Sequence, residues 1–174
     1  MDSVAVLTGD WSKNLSWELY LASELPKDAL CSAVCCIAIA SVDPPRVVLT
    51  RNHRGWELIA GHIEPGETVE EALVRECQEE GGFTPSTYTL LGYRKITAKV
   101  PEVNDHHGGF YPIVSYVPQY VAITSAPIVA PTGEEIVESA SFDPQNLPPS
   151  LEHSQVELIE QTMKRLKHGT LFKK

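Results

Sequence analysis

A nearly continuous hydrophobic segment spans residues 31–41 and consists mainly of small and β-branched side chains. A run of this kind predicts a strand that is buried on both faces of a sheet. Asp43, Pro44 and Pro45 follow it and predict a turn, after which residues 46–50 predict the second strand of a hairpin. The centre of the fold is therefore expected to be a β-sheet.

The remaining hydrophobic patterns predict further strands and a closing helix. Alternation or short apolar runs predict strands over residues 4–8, 17–21, 88–100, 113–125 and 136–142, and helical spacing predicts a helix over residues 150–167. Strands, an internal helix, more strands and a final helix indicate a mixed sheet between helices, which belongs to the α+β class. A polar loop holding His106 and His107 is expected to be solvated.

The first 27 residues are less regular than the rest and are interpreted as an N-terminal extension, with the main domain over residues 28–174. Leu25, Pro26, Lys27 and Asp28 separate the two parts. The extension could add an edge strand, cover an active site or contact a second subunit, and the sequence leaves these alternatives open.

The internal helix is predicted to begin at Val69, with Thr68 as its N-cap. At about 100° per residue, its apolar side chains gather into a single stripe. Glu76 and Glu80 fall within the arc of this stripe and Glu79 lies at its edge. Carboxylates on the buried side of a helix are costly unless a cation or hydrogen bonds satisfy them.

Glu76, Glu79 and Glu80 are separated by steps of three and four residues, so their side chains are expected to converge. Clustered carboxylate oxygens are suited to hard cations such as Mg²⁺ or Mn²⁺. The alternative is a solvated acidic helix with the same register. The position of these carboxylates against the apolar stripe favours the metal site.

The segment from Gly61 to Phe83 resembles the Nudix box, in which a glycine precedes a glutamate by six positions and an Arg-Glu pair precedes Glu-Glu and Gly. The residues that occupy the nine box positions are Gly61, Glu67, Arg75, Glu76, Cys77, Glu79, Glu80, Gly82 and Phe83. Cys77 stands where a larger aliphatic residue is more usual. This resemblance implies a Nudix-type α/β/α sandwich with a mixed central sheet.

The resemblance also implies roles for individual residues. Glu76, Glu79 and Glu80 are expected to bind Mg²⁺ or Mn²⁺ together with the backbone carbonyl of Ala60. Arg75 and Glu67 are expected to support each other and orient the helix. Ala60 replaces a glycine of the family pattern, and because only its carbonyl is used, the change is expected to matter little.

A general base for the reaction is expected either in the box or in a later loop. Glu134 and Glu135 precede the last predicted strand, where such a loop glutamate belongs in this family. Glu135 is the preferred candidate, with Glu134 and a box glutamate as alternatives.

The implied activity is divalent-metal-dependent hydrolysis of a nucleoside diphosphate linked to another moiety. Residues 47–58 resemble those of members that hydrolyse nucleoside triphosphates, including oxidised ones, to the monophosphate and pyrophosphate. ADP-ribose or a nucleotide sugar is the alternative substrate, and a catalytically inactive nucleotide sensor is the alternative outside enzymes. Arg54, Trp56 and Tyr116 are candidates for substrate binding.

Composition and charge restrict the partners. The formal net charge is −9, which disfavours binding to a nucleic-acid backbone, and 43% of the residues are hydrophobic, as in ordinary soluble proteins. Neither a leader peptide nor a transmembrane segment is apparent, and Cys31, Cys35, Cys36 and Cys77 are interpreted as buried free thiols. We therefore expect a cytoplasmic enzyme, monomeric or homodimeric, with a small-molecule substrate and no membrane partner.

Overall fold

The computed structural model describes residues 5–101, 111–124, 130–133 and 135–172. Within these residues the chain forms nine strands and two helices. The strands are β1 (Leu7–Asp10), β2 (Leu15–Leu21), β3 (Ala33–Val42), β4 (Pro45–Asn52), β5 (Gly55–Glu57), β6 (Ile59–His62), β7 (Pro85–Ala98), β8 (Val114–Thr124) and β9 (Glu138–Phe142), and the helices are α1 (Val69–Glu79) and α2 (His153–Lys167). Glu134 and the loop holding His106 and His107 lie outside the described residues.

All nine strands belong to one mixed sheet. Its order is β1-β2-β7-β8-β3-β4-β5, with β6 paired to β3 and β9 paired to β4. The central β3 and β8 are parallel, whereas the other strand pairs are antiparallel. The predicted hairpin of β3 and β4 is present, and most of β3 is buried, as its hydrophobic run requires.

A separate hydrophobic cluster covers each face of the sheet. On one face Ala72, Leu73 and Cys77 of α1 pack against β3, β4 and β8. On the other face Leu158 and Ile159 of α2 belong to the larger cluster. The two helices therefore enclose the sheet, which confirms the predicted α/β/α sandwich.

Helix α1 begins at the predicted residue because two hydrogen bonds cap it. The backbone N–H of Glu71 donates to the hydroxyl of Thr68, and the N–H of Thr68 donates to the carboxylate of Glu71. Such a reciprocal pair satisfies two backbone donors that the first turn would otherwise leave free. Helix α2 begins three residues later than predicted, at His153. Neither helix, within the described residues, is long and apolar enough to cross a membrane.

The N-terminal segment is an integral edge of the sheet. β2 pairs with β7 from Leu15 opposite Ala98 to Leu21 opposite Gly92, and β1 pairs with β2 outside it. Of the three alternatives left open by the sequence, the added edge strand is therefore present. Trp11 and Leu15 of the same hairpin also line a large cavity.

Candidate active site

A cavity of about 960 Å³ crosses the sheet from the box residues to the N-terminal hairpin. Volumes of about 300–1,000 Å³ are typical of small-molecule sites. One end is lined by the carboxylates of α1, together with Ala60 and Gly61 of β6. Glu76, Glu79 and Glu80 are therefore gathered, with Arg75, at one end of a cavity large enough for a nucleotide.

Arg75 is the centre of the hydrogen-bond network at this end. Its Nε and Nη2 atoms donate to the two carboxylate oxygens of Glu67 at 2.9 and 3.0 Å. Its Nη1 donates to Glu76 at 2.6 Å and to Glu79 at 3.1 Å, and Nη2 also donates to the carbonyl of His62 at 2.8 Å. The bond from Arg75 holds the pKa of Glu67 below its usual range. One guanidinium thus connects α1 to β6 and to the segment that precedes the helix.

Glu76 is a buried carboxylate placed against a glycine. A Cβ atom built on Gly61 would overlap the carboxylate of Glu76, so residue 61 can carry no side chain in this arrangement. Burial raises the pKa of Glu76, and the hydrogen bond from Arg75 opposes that rise. The negative charge of ionised Glu76 is thus only partly compensated by the protein.

Glu80 is held apart from Arg75. Its carboxylate accepts a hydrogen bond from the backbone N–H of Ala60 at 3.0 Å. Burial raises its pKa to about 8, and the bond from Ala60 offsets only part of this effect. A nearby divalent cation would favour the ionised form.

The donor set fits a hard divalent cation, although the side chains do not surround one as placed. Glu76 and Glu79 are drawn to Arg75, while Glu80 turns to the backbone of β6. No three His, Cys, Asp or Glu side chains of the described residues enclose a potential ion position. The predicted convergence of three carboxylates is therefore incomplete, but their oxygen chemistry and incomplete charge compensation suit Mg²⁺ or Mn²⁺.

A family model, described as the NUDIX domain, matches residues 30–162 of the chain. This chain belongs to the NUDIX family. The match covers most of the chain and includes the whole box, so the family predicted from the sequence is confirmed. The match begins just before β3 and ends within α2.

Among known proteins, the NUDIX chain is similar to human 8-oxo-dGDP phosphatase NUDT18, with 36% identity over 95 residues. It is also similar to the ADP-ribose pyrophosphatase of Methanocaldococcus jannaschii, with 54% identity over 37 residues. The alignments cover 50% and 21% of this chain but only 29% and 22% of the respective relatives. The chain therefore matches less than a third of either relative's length.

A solved structure matches nearly the whole NUDIX chain. The pyrophosphohydrolase BsRppH of Bacillus subtilis superposes with a TM-score of 0.65 and 22% identity, covering 97% of this chain and 98% of the other. At this level of identity the comparison establishes the shared fold.

Two other predicted site residues, Arg54 and Glu135, line the cavity of the NUDIX domain at its rim. The Nη2 atom of Arg54 lies 3.1 Å from a carboxylate oxygen of Glu57, which also accepts a hydrogen bond from the amide of Asn52. Glu135 is exposed and lies on the segment before β9. Both residues are thus positioned to meet a ligand in the cavity.

Trp56 and Tyr116 do not line the cavity. The ring of Trp56 packs edge-on against that of Phe142, with 4.7 Å between the ring centroids, within the hydrophobic cluster under α2. On β8 the cavity is lined by Ser115, Val117 and Gln119, so Tyr116 lies on the opposite face, where it contacts Tyr93 at 5.6 Å. The structure therefore separates these two aromatic residues from the rest of the predicted site.

Sequence reasoning missed several residues that line the cavity, namely Trp11, Arg94, Tyr111 and Gln119. Arg94 and Gln119 are polar residues on inward-facing positions of predicted strands, and this mismatch was the only available signal. Tyr111 lies next to a polar loop, and its hydroxyl is 2.7 Å from Nε2 of His62 in the box. Trp11 belongs to the irregular N-terminal segment and carried no periodic signal.

Proposed function

We propose that this protein is a divalent-metal-dependent pyrophosphohydrolase, which cleaves a nucleoside diphosphate linked to another moiety. The observation that carries the proposal is the gathering of Glu76, Glu79 and Glu80 at one end of a nucleotide-sized cavity. Their charges are only partly compensated, and bridging divalent cations are what two anionic partners, carboxylates and diphosphate, need in order to associate. The names of the relatives support a hydrolase acting on pyrophosphate bonds.

Glu76, Glu79 and Glu80 would hold Mg²⁺ or Mn²⁺, with the carbonyl of Ala60 as a further ligand. The bound metal would neutralise phosphate charge and lower the pKa of an attacking water. Arg75 fixes the carboxylates of Glu76 and Glu79 from behind, and Glu67 orients its guanidinium.

Glu135 is the proposed general base. Its side chain lines the cavity that also contains the box carboxylates, and it is exposed enough to exchange protons with solvent. A base in this place would remove a proton from the attacking water as the phosphorus–oxygen bond forms.

For the substrate we propose a nucleoside triphosphate, including oxidised forms, which would yield the monophosphate and pyrophosphate. The name of the human relative, an 8-oxo-dGDP phosphatase, supports an oxidised purine nucleotide. The name of the archaeal relative favours ADP-ribose, and we retain ADP-ribose or a nucleotide sugar as the second candidate. Of the three predicted substrate-binding residues we retain Arg54, because it lines the cavity.

A catalytically inactive nucleotide sensor is disfavoured because every carboxylate of the box is present. We also propose that the enzyme acts in the cytoplasm as a monomer or homodimer on a small molecule, without nucleic-acid or membrane partners. The net charge of −9 supports the exclusion of nucleic acid.

The test measures pyrophosphate and phosphate release from nucleoside triphosphates, oxidised nucleoside triphosphates, ADP-ribose and nucleotide sugars, with Mg²⁺, with Mn²⁺ and with chelator. We expect turnover that requires a divalent ion and a loss of at least ~100-fold in Glu79→Gln. Glu160→Gln, the same change at an exposed position of α2, is the matched control and should retain activity. The absence of metal-dependent turnover, or full activity in Glu79→Gln, would refute the proposal.

A further inference from the structure

The cavity continues beyond the carboxylates, across β8 and β7, to the N-terminal hairpin. Its wall there contains Gln119 of β8, Arg94 of β7 and Trp11 of the hairpin. None of these residues belongs to the box or has a part in the reaction proposed above. This end of the cavity is therefore free to determine which nucleotide the site accepts.

Gln119 provides a buried hydrogen-bond acceptor that lacks a partner. The residue is 1% exposed, and its Nε2 atom donates to the carbonyl of Val117 at 2.8 Å. Because that carbonyl can only accept, the bond fixes the orientation of the amide. The Oε1 atom has no hydrogen-bond partner among the described residues. A buried acceptor without a partner is costly, and such an atom in a cavity wall is ordinarily satisfied by a ligand or an ordered water.

Arg94 provides a buried donor in the same wall. Its guanidinium lies over the rings of Trp17 and Trp11, at 4.9 and 5.3 Å from their centroids, and Nη2 donates to the hydroxyl of Ser154 at 3.0 Å. Its Nε atom has no partner in the part of the chain that the structure describes. These contacts fix the guanidinium while leaving its buried Nε–H donor unused.

The strand register places the unused donor and the unused acceptor near each other. Arg94 is directly opposite Val117, and Gln119 is two residues further along β8 on the same face. Diagonal neighbours of this kind have Cα atoms roughly 7–8 Å apart, within reach of long side chains. A planar ligand group with adjacent donor and acceptor atoms would fit between them.

Trp11 adds an aromatic surface beside this pair. Its side chain is 46% exposed, although it lines the cavity and contacts the guanidinium of Arg94. An exposed indole at the edge of a nucleotide-sized cavity is suited to stacking on a heterocyclic base.

We propose that Gln119, Arg94 and Trp11 form a base-recognition subsite that prefers a 6-oxopurine to a 6-aminopurine. The N1–H group of the base would donate to Oε1 of Gln119, the 6-oxo group would accept from Arg94, and Trp11 would stack on the ring. A 6-aminopurine held in the same place has an acceptor at N1 and a donor at position 6, so both contacts would be reversed. The inference rests on the proposed function, since it takes the substrate to be a purine nucleotide.

The test uses calorimetry to measure the equilibrium binding of GMP, IMP and AMP to the full chain in the presence of chelator. We expect GMP and IMP to bind about tenfold more tightly than AMP. In Gln119→Leu this preference should fall below about threefold, since leucine keeps the volume and removes the acceptor. The variant should fold, because the loss of an unpaired buried acceptor offsets the loss of the hydrogen bond from Nε2 to the carbonyl of Val117. Gln145→Leu, the same change at an exposed position, should keep the wild-type preference.

Trp11→Ala should weaken the binding of GMP, IMP and AMP alike, by at least about fivefold, because stacking does not depend on the hydrogen-bond donors of the base. Equal affinity of the three nucleotides, a preference for AMP, or no detectable binding would overturn the proposal. So would a Gln119→Leu variant that weakens all three equally, which would indicate a general packing effect. Because binding is measured without metal, these outcomes are separate from the turnover test, which alone decides whether the protein is a pyrophosphohydrolase.

Discussion

The carboxylate of Glu76 lies against the Cα atom of Gly61, in the space that a side chain at residue 61 would occupy. Gly61 belongs to β6 and Glu76 to α1, so the missing side chain of Gly61 leaves the space between the two elements that the carboxylate occupies. The first glycine of the box is therefore explained by packing between two elements.

Gly61→Ala is expected to displace the carboxylate of Glu76 and to lower kcat about 100-fold, as small displacements of reacting groups can do. Pyrophosphate release and thermal unfolding should be measured on the same preparations. Because a methyl group at this edge can be accommodated by moving one side chain, the melting temperature should change by only a few degrees. A wild-type kcat would show that the position of Glu76 against Gly61 is not required.

Arg75→Lys is expected to lower the free energy of unfolding by about 1–3 kcal/mol in the absence of metal. Lysine cannot make the paired bonds to Glu67 together with those to Glu76 and Glu79, so carboxylate charge is left uncompensated. Urea unfolding should be measured with chelator and with Mg²⁺, and the difference from wild type should be smaller with Mg²⁺.

Arg51→Lys is the matched control for this change. Arg51 also makes two bonds to one carboxylate, that of Glu138, but both side chains are more than 40% exposed. Arg51→Lys should therefore lower the free energy of unfolding by less than about 0.5 kcal/mol. Equal effects of the two substitutions would contradict a central role for Arg75.

Glu135→Gln is expected to lower kcat by at least ~100-fold with little change in KM, because glutamine preserves the shape of the side chain and removes the proton acceptor. Rates should be compared over a range of pH at saturating Mg²⁺. A rate near that of the wild type would transfer the role to Glu134 or to a carboxylate of the box.

The four thiols are expected to differ in reactivity. Burial raises the pKa of Cys35 to about 12, and the contact with Cys77, 3.6 Å away between sulfur atoms, raises the pKa of Cys36. A raised pKa leaves little thiolate near pH 8, so these groups should react slowly. Burial raises the pKa of Cys31 as well, but this thiol is only partly buried and is therefore the most accessible of the four.

In native protein at pH 8, an aromatic disulfide reagent should therefore modify Cys31 first, and the other three thiols should react only after unfolding. Cys31→Ser should remove the early phase of labelling. Rapid modification of Cys31→Ser would contradict the buried positions of Cys35, Cys36 and Cys77.

Local patterns in the sequence were sufficient to predict the helix and the central strand on which the site is built. The capping signal of Thr68 and the 3.6-residue spacing after it predicted α1 at the correct first residue, and the same spacing placed Glu76 on the buried side. Both features depend on contacts within about one helical turn, which sequence spacing describes directly. The buried central strand followed in the same way from its unbroken hydrophobic run.

Which residues form the cavity wall on β7, β8 and the N-terminal hairpin depends on contacts between distant segments of the chain. Alternation along β8 separated Tyr116 from Gln119 but could not indicate which of them would face the cavity, because that depends on where α2 and the N-terminal hairpin pack. For the same reason the sequence offered Trp56 as a candidate for substrate binding, whereas its ring packs against Phe142.

By itself, the sequence determined the order of the helices and strands and the acidic residues of the box, because these follow from short-range spacing. The sandwich fold was predicted only through the resemblance of the box to a known family. Tertiary structure alone decided that Arg75 also reaches the carbonyl of His62 and that Glu80 turns to the backbone of Ala60. It also brought Trp11, Arg94 and Gln119, from three separate strands and turns, to one wall of the same cavity. Those contacts join residues far apart in the chain, and only the packing of β2, β7 and β8 into one sheet makes them neighbours.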